Sequence, residues 1–331
     1  MSASQLQKNR RVALWLFGVC ALIFIMVSVG GITRLTRSGL SIVEWRPITG
    51  VLPPLSEQAW HAEFEKYKQF PEYQKINRGM SLEDFKFIFF WEFMHRLLGR
   101  VIGLAFLLPF LYFFFRGYLR RKDSLHFLNM FILGGLQGFI GWYMVKSGLV
   151  HDPHVSHYRL ATHLLAAFGL FAYILAYALG LWSRQQTDVQ RDCNASNRNA
   201  LRYIYMALTV LSVVLLFQIL YGAFVAGLKA GYHFNTFPLM NGKWIPDGLV
   251  DAGTIWHNLV ERPLTVQFIH RILAWTLVAL ALGYFLSLPV FVRNQALALR
   301  LAAMRGAQLI LAGILVQFLI GISTLLLHVP L

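Results

Sequence analysis

The sequence predicts an all-α integral membrane protein made of two pseudo-symmetric four-helix bundles, with seven transmembrane helices present. Three observations carry that prediction. Hydrophobic residues make up 57% of the 331, and charged residues only 14%. A soluble domain is about a quarter charged, so this chain holds more apolar surface than a water-facing fold can hide. Seven apolar runs are each long enough to cross a bilayer. The second half of the chain also repeats motifs of the first.

The first run, Val12 to Ile32, follows Lys8, Arg10 and Arg11 and exceeds the apolar length of a signal peptide. It reads as a span with its N-terminus inside. Further spans are expected at Phe87–Phe115, Leu125–Val145, Tyr158–Trp182, Tyr203–Leu228, Pro263–Val292 and Ala307–Leu327. Basic residues collect in alternate connections: Arg116, Arg120, Arg121 and Lys122; Arg184, Arg191, Arg198 and Arg202; Arg293, Arg300 and Arg305. Only Asp123, Asp188 and Asp192 accompany them. This bias places the even-numbered loops inside. The net charge of +15 is thereby read as membrane orientation, with no nucleic-acid partner expected. The first outside segment, Thr33 to Lys86, contains an amphipathic stretch from Ser56 to Lys68. Ser56 is its expected N-cap and Glu57 its first-turn acid. That helix is expected on the membrane surface over a cavity mouth, or as a solvated cap without chemistry. Cys20 lies in an apolar run and Cys193 in a polar loop, so no disulfide is expected.

Three motif pairs make the internal repeat. Gly30 with Arg37-Ser38-Gly39 matches Gly222 with Lys229-Ala230-Gly231. Glu92-Phe93-Met94-His95-Arg96 matches Gln267-Phe268-Ile269-His270-Arg271. Gln137 with Ile140-Gly141 matches Gln317 with Ile320-Gly321. The unit is four helices, so residues 1–190 and 191–331 are expected to be parallel halves, each a bundle able to hold a cofactor. Helix four carries His163, and its counterpart would fall past Leu331. An eighth helix with its own histidine is therefore expected to be missing at the C-terminus.

The chemistry gathers where ionisable groups enter apolar runs, because charge there is costly and seldom idle. Glu92, His95, Arg96 and Arg100 share one helix face. His95, His163 and His270 lie about 10 Å below the outer surface at the helical rise. Two imidazoles from facing helices at one depth suit the two axial positions of a heme iron. His95 and His163 would form one pair, and His270 would belong to a second site. Arg96, Arg100 and Arg271 could hold heme carboxylates, reach the interface, or pair with Glu92. Glu92 has Gln267 as its repeat partner, so the two halves differ in charge. Its carboxylate could move protons or stabilise a developing cation, or form a structural salt bridge with Arg96. His151, His154 and His157 have metal-like spacing on an outside loop, a weak pattern. His61, His126, His233, His257 and His328 have none. Gln137 and Gln317 are expected to bond across helices.

Gly39-Leu40-Ser41-Ile42-Val43-Glu44-Trp45-Arg46-Pro47-Ile48-Thr49-Gly50, Ile76-Asn77-Arg78-Gly79-Met80-Ser81, Glu92 through Arg100 and Phe268 through Arg271 together resemble the heme A synthase family of the proteobacterial and mitochondrial type. The resemblance runs over essentially the whole chain. It implies an eight-helix membrane oxidoreductase that oxidises the C8 methyl of heme O to a formyl group, giving heme A for terminal oxidases. It implies that His95 and His163 bind the substrate heme, that Glu92 is the catalytic-site carboxylate, and that His270 ligates a heme b. Implied partners are heme O, a heme O synthase, an unidentified electron donor and the lipid bilayer, with a homo-oligomer left open. The implied location is the cell inner membrane, with a cytoplasmic N-terminus. The family's other subtype has a loop cysteine pair, which this chain lacks.

Two other function classes compete. A diheme b-type electron-transfer cytochrome would hold two permanent hemes and modify neither; only the Glu92/Gln267 asymmetry argues against it. A transporter with parallel repeats would need polar groups near the midplane, whereas these cluster near one surface.

Overall fold

The computed structural model describes residues 3–46, 49–149, 153–183, 195–251 and 253–328. The described residues are helical, apart from turns and one isolated bridge between Met240 and Lys243. Among the described residues, seven helices are long and apolar enough to cross a membrane. The chain divides into two compact units, Met1–Asp188 and Val189–Leu331.

The first unit holds α1 (Ala3–Leu35), α2 (Glu57–Tyr67), α3 (Pro71–Lys75), α4 (Leu82–Phe115), α5 (Arg121–Gly148) and α6 (His157–Ser183). Helix α1 packs against both α4 and α6, and α5 against α6. Val12, Leu16 and Val19 of α1 meet Phe106 and Phe113 of α4, Phe127 of α5 and Ile174 of α6 in one core. Trp15 joins three of these rings, with centroids 5.1 to 5.7 Å away. Its indole N–H also solves a local problem. Pro109 inside α4 has no N–H to give the carbonyl four residues back, and Trp15 Nε1 donates to that carbonyl, on Ala105, at 2.8 Å.

The N-terminal basic residues meet the opposite end of α4. Lys8 donates to the Gly117 carbonyl at 3.2 Å and Arg11 to the Tyr118 hydroxyl at 2.8 Å. The expected amphipathic helix is α2. Ser56 caps it by accepting from Ala59 N at 3.2 Å, and Ser81 caps α4 through Asp84 N at 3.1 Å. Phe64 and Tyr67 of α2 pack on Phe85, Ile88 and Phe89, which seats α2 against α4.

The second unit holds α7 (Ala195–Gly227), a short 3-10 turn (Ala230–Tyr232), α8 (Ile255–Val260), α9 (Pro263–Val292) and α10 (Leu297–Leu326). Helix α9 lies against both α7 and α10. Its core is Leu211, Leu277, Ala281, Tyr284, Leu288 and Val292 with Ala200 and Ala307.

The last span starts ten residues earlier than expected, at Leu297 instead of Ala307. Leu, Ala, Met and Arg are strong helix formers, so Arg300 and Arg305 sit on the helix and not in a loop. Arg184, Asp188, Arg191, Asp192 and Cys193 lie outside the described residues, as does His151; Cys20 is buried in α1.

Candidate functional site

The site in the first unit is built around a carboxylate that the chain folds over. Glu92 on α4 is 3% exposed. One oxygen, Oε2, accepts from Ser41 Oγ at 2.7 Å and from Ile42 N at 2.8 Å. The other, Oε1, accepts from Arg96 Nε at 3.1 Å and Nη2 at 2.6 Å. Arg96 in turn donates to the carbonyls of Glu44 at 2.9 Å and Ile42 at 2.7 Å. Arg100 donates to the Arg46 carbonyl at 2.8 Å. The i, i+4 spacing read from the sequence thus forms a clamp that holds segment 38–46 across α4. A buried ion pair of this kind is stable only when the remaining lone pairs and protons are also satisfied, and here the loop backbone does that.

The same segment reaches α5. Leu40 lies against Gly148, where a Cβ would come within 2.9 Å of its methyls. Trp45 meets Trp142 at 5.3 Å between centroids. Arg37 at the end of α1 takes positive φ (51°) to turn the chain into the segment.

The histidines sit beside this clamp, each on a glycine of a neighbouring helix. A Cβ on Gly30 of α1 would lie 3.2 Å from His95 Nε2, and one on Gly141 of α5 would lie 3.0 Å from His163 Cε1. His95 lies on α4 and His163 on α6. Gln137 fixes the His163 ring: its Nε2 lies 3.1 Å from Nδ1 and donates to the His163 carbonyl at 2.8 Å. The amide nitrogen can only donate, so Nδ1 accepts from it.

The second unit repeats the scheme with one change. Arg271 donates to the carbonyls of Phe234 at 2.8 Å and Thr236 at 2.7 Å, as Arg96 does to Ile42 and Glu44. Lys229 takes the positive φ (54°) of Arg37. Gln267, 3% exposed, stands where Glu92 stands and donates to the Phe234 carbonyl at 3.0 Å. Its Oε1 and the Nε of Arg271 are buried without hydrogen-bond partners. A Cβ on Gly222 would lie 3.2 Å from His270 Cε1, and Gln218 Nε2 lies 3.3 Å from His270 Nε2.

Sequence reasoning named Glu92, His95, Arg96, Arg100, His163, His270 and Arg271, and the structure places the first five in the first unit, four on α4 and His163 on α6. It missed Ser41 and Gln218. The signal for Gln218 was present: Gln-x-x-x-Gly occurs at Gln137–Gly141 and at Gln218–Gly222, and in both the glutamine meets the histidine that the glycine seats. Gln317 was expected to bond across helices, but it is exposed on α10. Among the described residues no cluster of three or more His, Cys, Asp or Glu is placed to hold a bare metal ion.

The family model described as a cytochrome oxidase assembly protein, COX15-CtaA, matches residues 13–331. A heme A synthase of Nitrosospira multiformis is 49% identical over 324 residues, covering 98% of this chain and 87% of its own length. One from Rhodospirillum centenum is 50% identical over 265 residues, covering 80% of this chain and 68% of its own. One from Wolbachia pipientis is 43% identical over 320 residues, covering 96% and 85%. No solved structure matches the chain. By a match over nearly its whole length, the chain belongs to the COX15-CtaA family of cytochrome oxidase assembly proteins.

Proposed function

We propose that this protein is a heme A synthase: a multi-pass enzyme that takes heme O at His95 and His163 and oxidises its C8 methyl, in successive steps, to a formyl group. The observation that carries the reading is the seating of the two imidazoles. They come from α4 and α6, and each has a glycine where a side chain would crowd the ring. Gln137, beside Nδ1 of His163 and bonded to the His163 carbonyl, holds the orientation of that ring. These residues fit the two axial positions of a heme. The heme supplies the redox chemistry. The protein's part is to place the ring, exclude water and fix the electrostatics beside it.

Glu92 is proposed as the carboxylate on which oxidation depends. Both of its oxygens are filled by Ser41, Ile42 and Arg96, so it acts through segment 38–46, which it holds in place as a fixed negative charge beside the site. Arg96 and Arg100 share that work through the carbonyls of Ile42, Glu44 and Arg46. In the second unit, His270 on its Gly222 seat is proposed to ligate a heme b that passes electrons. Arg271 there holds the equivalent loop. The proposed setting is the cell inner membrane with a cytoplasmic N-terminus, the side on which Lys8 and Arg11 meet Gly117 and Tyr118. Heme O synthase and an electron donor are its proposed partners.

The test is extraction of heme from protein co-expressed with a heme O synthase, followed by chromatography. Heme A or a hydroxylated heme O establishes the activity. Heme B alone, with heme O available, overturns it in favour of a diheme electron-transfer cytochrome.

A further inference from the structure

The arginines that the sequence nominates for heme carboxylates all donate to loop carbonyls, and a different arginine lies one helical turn from a ligand. Arg159 on α6 precedes His163 by four residues, so it lies about 6 Å further out along the same helix face. It lines a hollow of about 410 Å³ between α5 and α6, together with Ile140, Tyr143, Ser156, Tyr158 and Thr162. Ile140 and Thr162 are the chain neighbours of Gly141 and His163, the glycine–imidazole contact itself, so the hollow borders the back of the histidine site.

The guanidinium is held ready. Its Cζ stacks 3.8 Å from the centre of the Tyr143 ring, and Nη1 donates to the Tyr143 carbonyl at 2.8 Å. Stacking and one anchored nitrogen fix the plane of the fork, which lowers the ordering cost of a two-pronged contact. The two helix ends that frame the hollow are tied together by Ser156 N donating to Ser147 Oγ at 3.1 Å. Ile140 and the Tyr143 ring form the α5 wall, and Ser156, Thr162 and the Arg159 cation face them. That combination suits the charged head of an amphiphile whose body lies in hydrocarbon.

Two sources share this chemistry, a carboxylate of a tetrapyrrole and the phosphate of a lipid. We propose that Arg159 receives a carboxylate of the tetrapyrrole held at His163, and so sets how the substrate ring is rotated about its iron. The single-turn spacing from the ligand favours this source. The proposal rests on the heme reading given above, and its test separates the two.

The probes are hemin and its dimethyl ester, titrated by Soret absorbance into the detergent-solubilised full chain. A His270→Ala background leaves the first site as the only ligating one. The acid should bind about tenfold more tightly than the ester, the factor that corresponds to about 1.4 kcal/mol. Arg159→Met should weaken acid binding by about the same factor and erase the preference, while the low-spin bis-imidazole spectrum stays. Arg159→Lys should recover part of it. Equal binding of acid and ester by the unmodified arginine overturns the proposal. So does an Arg159→Met loss that adds to the loss from esterification. If phosphatidylglycerol raises the melting temperature only when Arg159 is present, and acid and ester still bind alike, the arginine reads a lipid phosphate and the carboxylate assignment fails. The ester comparison needs no substitution at Arg159, so a misfolded variant leaves it intact. Absence of a low-spin spectrum from the unsubstituted chain would sink the heme reading itself, whatever the ester shows.

Discussion

Replacing Glu92 by glutamine changes one atom and tests the clamp directly. The carboxylate accepts four hydrogen bonds, two from Ser41 and Ile42 and two from Arg96. An amide has one oxygen. If that oxygen stays with Ser41 Oγ and Ile42 N, the new NH2 faces two Arg96 donors. If it turns to Arg96, the NH2 faces the Ile42 N–H. Either orientation loses two charge-assisted bonds and leaves the Arg96 charge without its counter-ion, although its bonds to the carbonyls of Ile42 and Glu44 remain. Breaking a buried pair costs about 3–5 kcal/mol, and the surviving carbonyl bonds put Glu92→Gln at the low end, about 3 kcal/mol. The loss should appear as a lower unfolding midpoint in detergent and as faster proteolysis within segment 38–46. Heme binding should survive, because His95 and His163 take no bond from Glu92, while methyl oxidation should stall. An unfolding free energy within about 0.5 kcal/mol of the parent, with unchanged proteolysis, would refute the clamp. A normal heme A yield would remove Glu92 from the mechanism.

Three further outcomes follow from the same geometry. Gly141→Val puts a branched side chain where even a Cβ lies 3.0 Å from the His163 ring; it should abolish the low-spin heme spectrum of the first site, and retention of that spectrum would show that the seat is dispensable. Gln267→Glu should give Arg271 Nε, buried without a partner, an acceptor, and raise the unfolding midpoint; a lowered midpoint would mean that the second loop is matched to the neutral amide. Glu72, in α3 beside α2, is 5% exposed, and burial pushes its carboxyl from 4.5 to about 7. The Glu92 charge acts in the same direction, while the Tyr67 hydroxyl and Arg37 oppose it. The folded state therefore keeps a proton that the unfolded state has lost, so the contribution is full below about pH 4.5 and is lost as pH rises through about 7, by at most about 3 kcal/mol. Unfolding in detergent at about pH 5 and pH 8 should show the drop, and Glu72→Gln should flatten it.

The spans were legible because an uncharged run of this length has no other solvent. Their boundaries were less so. Leu297 to Met304 contains two arginines' worth of loop signal with Arg305, yet its propensity is helical, and hydropathy does not see propensity. The histidines and Glu92 were legible for the converse reason, since each is expensive where it stands. What the arginines bond to was not legible. Arg96 and the carbonyl of Ile42 are far apart in sequence, and backbone carbonyls carry no residue signature, so a guanidinium beside a histidine reads equally as a carboxylate binder or as a loop clamp. The cap was half legible. Ser56 announces α2, but the burial of Glu72 goes with a bond from the Tyr67 hydroxyl, and Tyr67 in turn packs on Phe85 of α4, a contact only the folded chain makes.

The two units show what the fold requires and what the chemistry adds. In both, a residue with positive φ turns the chain out of a span, an arginine on the next long helix holds the first carbonyls of the loop, and the histidine beside that arginine rests on a glycine of the preceding long helix, Gly30 for His95 and Gly222 for His270. Each unit also sets a glutamine four residues before a glycine that seats a histidine, Gln137 with Gly141 at His163 and Gln218 with Gly222 at His270. None of these parts needs a carboxylate, since the second unit forms its loop contacts with Gln267. Its arrangement leaves an amide oxygen and an arginine nitrogen buried and unbonded, a tolerable expense for a loop that only has to stay closed. Glu92 removes both orphans in the first unit and adds Ser41 and the Ile42 N–H to the clamp. Scaffolding alone therefore explains the arginines, the glycines and the glutamines. The charge at position 92 is the feature it leaves over, and under the proposed function it is what sets the heme-oxidising half apart from the other.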